Sequence, residues 1–391
     1  MVLSSGSAAS PGRVLVTDGE FKHTLGIVRQ LARRGHEVHL IARSKRAPAV
    51  HSRAVRRWHR APAPEGPEYD ARLLEVAQSL APVSLLPVGS GAVAAADRLR
   101  GRLPAAVGLA LPPRDSLAVA NDKPRTAELA RKLGIRAPRE RRVASLEEAR
   151  AALRELGAPL VLKSAREEGV KTVRYAHDEA GLSAAYEGAR GAGGAVLAQE
   201  YVAGAGSGFS ALYWNGRLER SFMHRRVREW PPSGGTSACA ESVLDALALA
   251  RAGAALLDAL AWHGVAMVEF KGDLERGAPA LIEINAKFWG SHDLALACGV
   301  DFPGDLVALL EGRALEPRPA PARAVRFSWP LGGDLWHGFF RPSSLPAVLW
   351  DALSPSVAHS FRPGDPVPHF YELAQWLRSA PGAWREHRST R

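Results

Sequence analysis

Residues 281–291 read LIEINAKFWGS and place an acid and an amide two positions apart among apolar neighbours. Successive side chains of a strand alternate faces, so Glu283 and Asn285 share one face while Ile282 and Ile284 take the other. Just upstream, AMVEFK carries Glu269 between Val268 and Phe270. The polar, glycine-containing DLERGAP between the two runs predicts a hairpin. Such a hairpin can set Glu269 across from Glu283 and Asn285. Carboxylates held that close cost free energy unless a cation or a shared proton relieves them. Oxygen donors of this kind suit Mg2+, with Mn2+ as a second option, holding nucleotide phosphates. Spacing alone leaves two other readings open. One is an edge hairpin whose polar face meets water. The other is acid–base work by paired carboxylates, for which Asn285 has little use.

Basic residues upstream could complete a phosphate site. Lys123 stands at the predicted helix start of DKPRTAELARKLG (122–134), and Lys163 lies in the apolar strand APLVLKSA (158–165). REEGVKT follows, with Gly169 and Lys171, but no G-x-x-x-x-G-K-[ST] loop occurs. In AQEYV, Glu200, Tyr201 and Val202 end a strand ahead of Gly204. That segment fits a backbone hinge for a nucleobase, or simply the end of a core strand. HRRVREWPPSGGTSA (224–238) joins His224, Arg226 and Arg228 to a proline pair and a glycine pair. A substrate carboxylate or a developing acyl-phosphate charge would account for that combination. His224, alone among arginines, is not assigned as a general base.

These groups need elements to carry them. RVLVTD (13–18), an amphipathic FKHTLGIVRQLARRG (21–35) and EVHLIA (37–42) form a βαβ opening. Its loop, DGEFK, is no dinucleotide fingerprint. The expected organisation is a flexible tail over 1–12, an open α/β domain over 13–118, a further unit from 119, and a C-terminal extension over 319–391. Ser145 and Glu148 fit a capping box. Asn215-Gly216 inside FSALYWNGRLERSFMHRRVRE predicts a tight hairpin. A helix is expected at about 246–260.

Composition narrows the class. The chain has 391 residues, 46% of them apolar, and no apolar run long enough for a membrane span. Its net charge of +11 alternates with glutamates, and no aromatic-basic module appears, so no nucleic-acid partner is expected. Cys239 and Cys298 form no ligand cluster and suit a reducing compartment, which points to the cytoplasm.

In this order, QEYVAG, HRRVREWPPSGGTS, MVEFK and IEINAKFWGS resemble the ATP-grasp superfamily, and more closely its carboxylate-amine ligases. The resemblance covers about residues 120–312. It implies a Rossmann-like N-terminal domain followed by two α+β lobes that clamp ATP with magnesium, a first lobe over 119–200 and a second lobe with the metal site over 201–318. It implies an acyl phosphate made from a carboxylate substrate and attacked by an amine. On this chain Lys123 and Lys163 match the nucleotide lysines, and Glu200, Tyr201 and Val202 the adenine hinge. Glu269, Glu283 and Asn285 match the metal ligands. Arg226 falls near the phosphate, Arg228 is placed to meet the substrate carboxylate, and 231–237 would close over the reacting end. Lys287 stands where an arginine is common and Ala286 where proline is common. GAGSGF (204–209) lacks the acid that often contacts ribose, which leaves backbone groups or Ser207. Substrates would be an acid and an amine of amino-acid, peptide or natural-product type. The superfamily allows a homodimer. The alternative is an ATP-grasp-like nucleotide or anion binder without catalysis.

Overall fold

The computed structural model describes residues 12–164, 173–190, 196–232, 234–274, 279–317 and 323–389. The chain divides into two compact units, residues 1–109 with 303–315, and residues 110–302 with 316–391.

The first unit is built on a parallel sheet. Its strands are β1 (Arg13–Val16), β2 (Glu37–Ala42), β3 (Val55–Arg60), β4 (Val83–Leu86) and β5 (Val107–Gly108), in the order β3-β2-β1-β4-β5. Helices Lys22–Arg33, Pro67–Leu80 and Ser90–Leu99 make the crossovers. The near-continuous apolar runs of β1 and β4 are fully buried, as expected of a parallel sheet covered on both faces. The second lobe was expected over 201–318. Residues 303–315 group instead with this first unit, where Leu310 packs at Gly108 and His36 lies 3.8 Å from Glu311.

The second unit holds two sheets. An antiparallel four-stranded sheet contains β6 (Glu140–Val143), β7 (Leu160–Ser164), β8 (Val173–Ala176) and β9 (Val196–Glu200), ordered β6-β9-β7-β8. Helices Leu146–Leu156 and Glu179–Arg190 bury Ala149, Ala152, Leu182 and Tyr186 in its core. Ser145 caps the first of them by accepting from the Glu148 N–H. The reciprocal bond of the expected capping box lands one residue early, on the Ala144 N–H.

The larger sheet has seven strands, in the order β14-β13-β10-β11-β12-β15-β16. These are β10 (Ala205–Trp214), β11 (Arg217–Trp230), β12 (Thr236–Ser242), β13 (Gly264–Gly272), β14 (Ala280–Asn285), β15 (Arg326–Ser328) and β16 (Val357–His359). Asn215 (φ 50°) and Gly216 (φ 78°) turn β10 into β11, both left-handed as a two-residue hairpin loop of this hand requires. The helix Leu247–Ala259 packs on one face of the sheet. There Gly253 meets Phe209 so closely that a Cβ would stand 2.3 Å from the ring, and Tyr213 donates to Asp258 at 2.8 Å. The opposite face carries the charged residues discussed below. The C-terminal extension is part of this sheet, since β15 pairs with β12 and β16 pairs with β15. Among the described residues no helix is long and apolar enough to cross a membrane.

Candidate active site

The predicted hairpin forms. β13 and β14 pair antiparallel, with Glu269 directly opposite Glu283 and Met267 opposite Asn285. Directly opposed residues stand about 5 Å apart at Cβ, so the two acids share one face. The turn residues 275–278 lie outside the described residues. β14 is the edge strand, yet Glu283 and Asn285 are only 6% and 4% exposed. That burial rules out an edge hairpin whose polar face simply meets water. Asn285 Nδ2 donates to Glu283 Oε1 at 3.2 Å. Helix Lys123–Lys132 packs against β14, and it starts where Asp122 caps the Arg125 N–H. This start places Lys123 Nζ 3.9 Å from Glu283 Oε2.

β10 lies beside β13, and its register fixes the rest of the face. Gly208 is opposite Glu269 and His224, while Gly206 is opposite Lys271. Both glycines leave the floor clear. A Cβ at Gly208 would come within 2.4 Å of His224 Cε1, and one at Gly206 within 2.9 Å of Arg226 Cδ. Arg226 lies across this space. Its Nη2 meets Glu269 Oε2 at 2.7 Å, and its Nη1 meets Glu229 Oε1 at 3.3 Å. Burial works against the Arg226 charge, but the Glu269 and Glu229 carboxylates outweigh it and hold its pKa above the ordinary value. His224 is buried, and Ser291 Oγ lies 3.0 Å from its Nε2. Burial, reinforced by Arg226, lowers its pKa to about 3, so it is neutral at neutral pH and a poor proton acceptor.

Two expected residues do not join this face. Ser207 sits opposite Phe270 in the β10–β13 ladder, one step out of phase with Glu269, and is buried on the helix-covered side with Phe209. It is therefore not placed to meet a ribose beside the acids; Gly206 and Gly208 occupy the positions that face them. Arg228 is turned away by a register shift. Arg226 pairs with Ala240 but Arg228 with Cys239, and a second, compensating shift before Glu229 restores the register, so the irregularity is confined to the stretch around Arg228. Within it the alternation of faces is broken. Glu229 thus returns to the face of Arg226, and Arg228 points into the C-terminal segment. There its guanidinium forks onto Asp334 at 2.7 and 2.8 Å and reaches Asp351 at 2.7 Å. Ser328 also donates to Asp334. Sequence reasoning missed Glu229, Asp334 and Asp351, because a bulge leaves no mark in the pattern of side-chain types.

The remaining predicted residues lie on or just beyond β7, β9 and β14. Lys163 is buried and donates to Gln199 Oε1 at 3.0 Å, and Gln199 in turn donates to Glu140 at 2.7 Å. Glu200 ends β9 paired with Arg139 at 2.7 Å, and Val202 is buried. Tyr201 is exposed, meets Tyr175 edge-on, and carries Lys271 Nζ 4.7 Å from its ring centroid. Burial lowers the Lys271 pKa. That lysine shares the acid face and was also missed. Lys287 is half-buried two residues beyond Asn285. Gly169, Lys171 and Ser233 lie outside the described residues.

Among the described residues no three His, Cys, Asp or Glu side chains gather as a metal cluster. The donor set is two opposed carboxylates with a neighbouring amide, all hard oxygen ligands when the amide turns its oxygen inward, and this fits Mg2+ better than a softer metal. Arg226 on Glu269 and Lys123 near Glu283 supply part of the positive charge that the pair needs.

No protein-family model matches the chain, and no curated protein matches it in sequence. Solved structures do. An N5-carboxyaminoimidazole synthetase from Staphylococcus aureus, solved with ADP, aligns over 81% of this chain and 81% of its own, with a TM-score of 0.64 at 12% identity. An N5-carboxyaminoimidazole ribonucleotide synthetase from Thermus thermophilus aligns over 80% and 82%, with a TM-score of 0.61 at 20% identity. An L-amino acid ligase from Bacillus licheniformis aligns over 81% and 79%, with a TM-score of 0.59 at 18% identity. The likeness is one of fold. The chain has the ATP-grasp fold: a Rossmann-like α/β domain followed by two α+β lobes.

Proposed function

We propose that this chain is an ATP-dependent carboxylate-amine ligase that forms an amide or peptide bond through an acyl phosphate and releases ADP and phosphate. The observation that carries the reading is the buried face on which Glu269 opposes Glu283, with Asn285 beside them and Arg226 bound to Glu269. Buried acids so arranged call for a cation, and the ATP-grasp fold supplies a nucleotide reason for one. Bound at Glu269, Glu283 and Asn285, magnesium would neutralise charge on the nucleotide phosphates.

Each of the chain's own groups then has a task. Lys123 and Lys163 take phosphate oxygens, and Glu200 to Val202 present the hinge for the adenine. The substrate carboxylate attacks the γ-phosphoryl group and ADP leaves. Arg226 and Lys287 hold the transferred group and later the tetrahedral oxyanion. The amine attacks the acyl carbon, and inorganic phosphate departs. His224 is too weak a base to take the amine's proton near neutral pH, so the amine arrives neutral or passes its proton to the phosphate. The enzyme would work on small molecules, in the cytoplasm. The test is ADP release over a panel of paired acids and amines, followed by the product mass. Release that needs both partners, with a product equal to acid plus amine less water, supports the reading. ADP release indifferent to the amine sinks it.

The second reading, a nucleotide or anion binder without turnover, draws on the missing acid in 204–209. Tight binding of Mg·ATP with no ADP formed across the panel would select it.

A further inference from the structure

The peptide of Gly235 is gripped from both sides. Glu229 Oε2 accepts its N–H at 3.0 Å, and Arg226 Nη1 donates to its carbonyl at 2.9 Å. The same two side chains meet each other at 3.3 Å, and the other arm of Arg226 rests on Glu269 at 2.7 Å. Gly235 itself is fitted tightly, since a Cβ there would stand 2.2 Å from the Trp230 carbonyl oxygen. On its far side this stretch of β11 is held by the C-terminal segment. His337 Nδ1–H donates to the Glu229 carbonyl at 2.7 Å, Arg228 is locked by Asp334 and Asp351, and Trp230 stacks against Phe340. The backbone of Glu229 is thereby fixed while its carboxylate spans an arginine and a loop peptide.

We infer that Glu229 is a positioning residue, whose carboxylate joins the Gly235 turn and the Arg226 guanidinium into one unit. Arg226 cannot leave Glu269 without disturbing the Gly235 turn. An anionic group arriving at Arg226 competes with Glu229 and Glu269 for the same donors, and the Gly235 peptide must respond to it. In the proposed ligase that group is the transferred phosphoryl, and only this last step rests on that reading. The clasp itself is made by the chain's own residues. The C-terminal segment, whose role was open from sequence, is what holds the clasp in register.

The experiment compares Glu229→Gln, which keeps an acceptor for the Gly235 N–H but loses the charge on Arg226, with Glu229→Ala, which loses both. Amide exchange at Gly235, measured without substrate, should quicken about 10-fold in the alanine variant and less in the glutamine variant. Unchanged exchange in both overturns the inference. Where the parent protein shows ADP release that needs acid and amine, Glu229→Gln should lower kcat about 10-fold while the KM for ATP stays within about twofold. A rise in KM with kcat retained also overturns it. Gly235→Ala provides a second route, because it strikes the Trp230 carbonyl without touching a charge. It should reproduce both effects, and parental exchange and kcat in that variant would count against the clasp. Should the parent release no ADP with any acid–amine pair, the ligase reading fails, and exchange at Gly235 still decides the clasp.

Discussion

Glu269 and Glu283 are direct cross-strand partners on a buried face. Arg226 stands 2.7 Å from Glu269, and Lys123 stands 3.9 Å from Glu283. Two opposed acids with partial neutralisation are poised to gain from a divalent cation and to lose little when one is neutralised. Glu283→Gln should therefore raise the magnesium needed for half-maximal ADP release by about 10-fold or more, while the unfolding midpoint in EDTA holds or rises. Asn285→Ala should act in the same direction. Parental magnesium dependence in both variants would remove the metal site.

Arg228 belongs to the fold. It is 7% exposed and bound by two carboxylates of the C-terminal segment, one of them fully buried. Removing one partner of such a cluster leaves charge stranded, at a cost of about 3–5 kcal/mol. Arg228→Ala should lower the unfolding free energy by that order, measured in urea. Asp334→Ala should do the same. An Arg228→Ala protein of parental stability that loses only its affinity for the carboxylate substrate would restore the role assigned from sequence.

The parts legible in the sequence were those written in local alternation or turn chemistry. Asn215-Gly216 announced its hairpin, and the two apolar runs around Glu269 and Glu283 announced theirs, because strand period and turn composition are short-range signals. The phase of β10 was not legible. Whether Ser207 or Gly206 and Gly208 face the acids depends on the register with β13, which nothing local to GAGSGF states. The irregular register of β11 at Arg228 was hidden for the same reason, and with it the exchange of Arg228 for Glu229 on the face that carries Glu269. β15 and β16 are three residues each, too short to show a period; β15 adds to the edge of β12, and β16 adds to β15.

The phase of β10 can be tested directly. Ser207→Ala removes a hydroxyl from the helix-covered side, so affinity for an ATP analogue should stay within about twofold. Gly208→Ala puts a methyl against His224 Cε1 on the face that carries Glu269 and should depress turnover at least about 10-fold or destabilise the chain by about 1–3 kcal/mol. Calorimetric titration and urea unfolding read the two outcomes. A large loss of nucleotide affinity in Ser207→Ala with a silent Gly208→Ala would show the register to be wrong.

Acid should weaken the fold through its buried histidines. Burial lowers His59 to about 4, with His39, Arg57 and Arg72 adding to it; His39 Nδ1 sits 3.1 Å from His59 Nε2. Burial lowers His292 to about 4, and burial with Arg226 lowers His224 to about 3. In the unfolded chain each titrates near about 6.5. The unfolded state therefore binds more protons between those values, so the stabilisation is complete above about pH 6.5 and is lost as pH falls toward 4 and then 3. Each histidine contributes a slope of up to about 1.4 kcal/mol per pH unit in that window. Asp18, whose buried carboxyl titrates above its usual value, works the other way. Denaturant unfolding between pH 7 and pH 4.5 should show stability falling with acid, and His59→Asn should flatten the slope by about one proton. A curve that is level or climbs toward acid would mean these rings are solvated and free to charge in the native state.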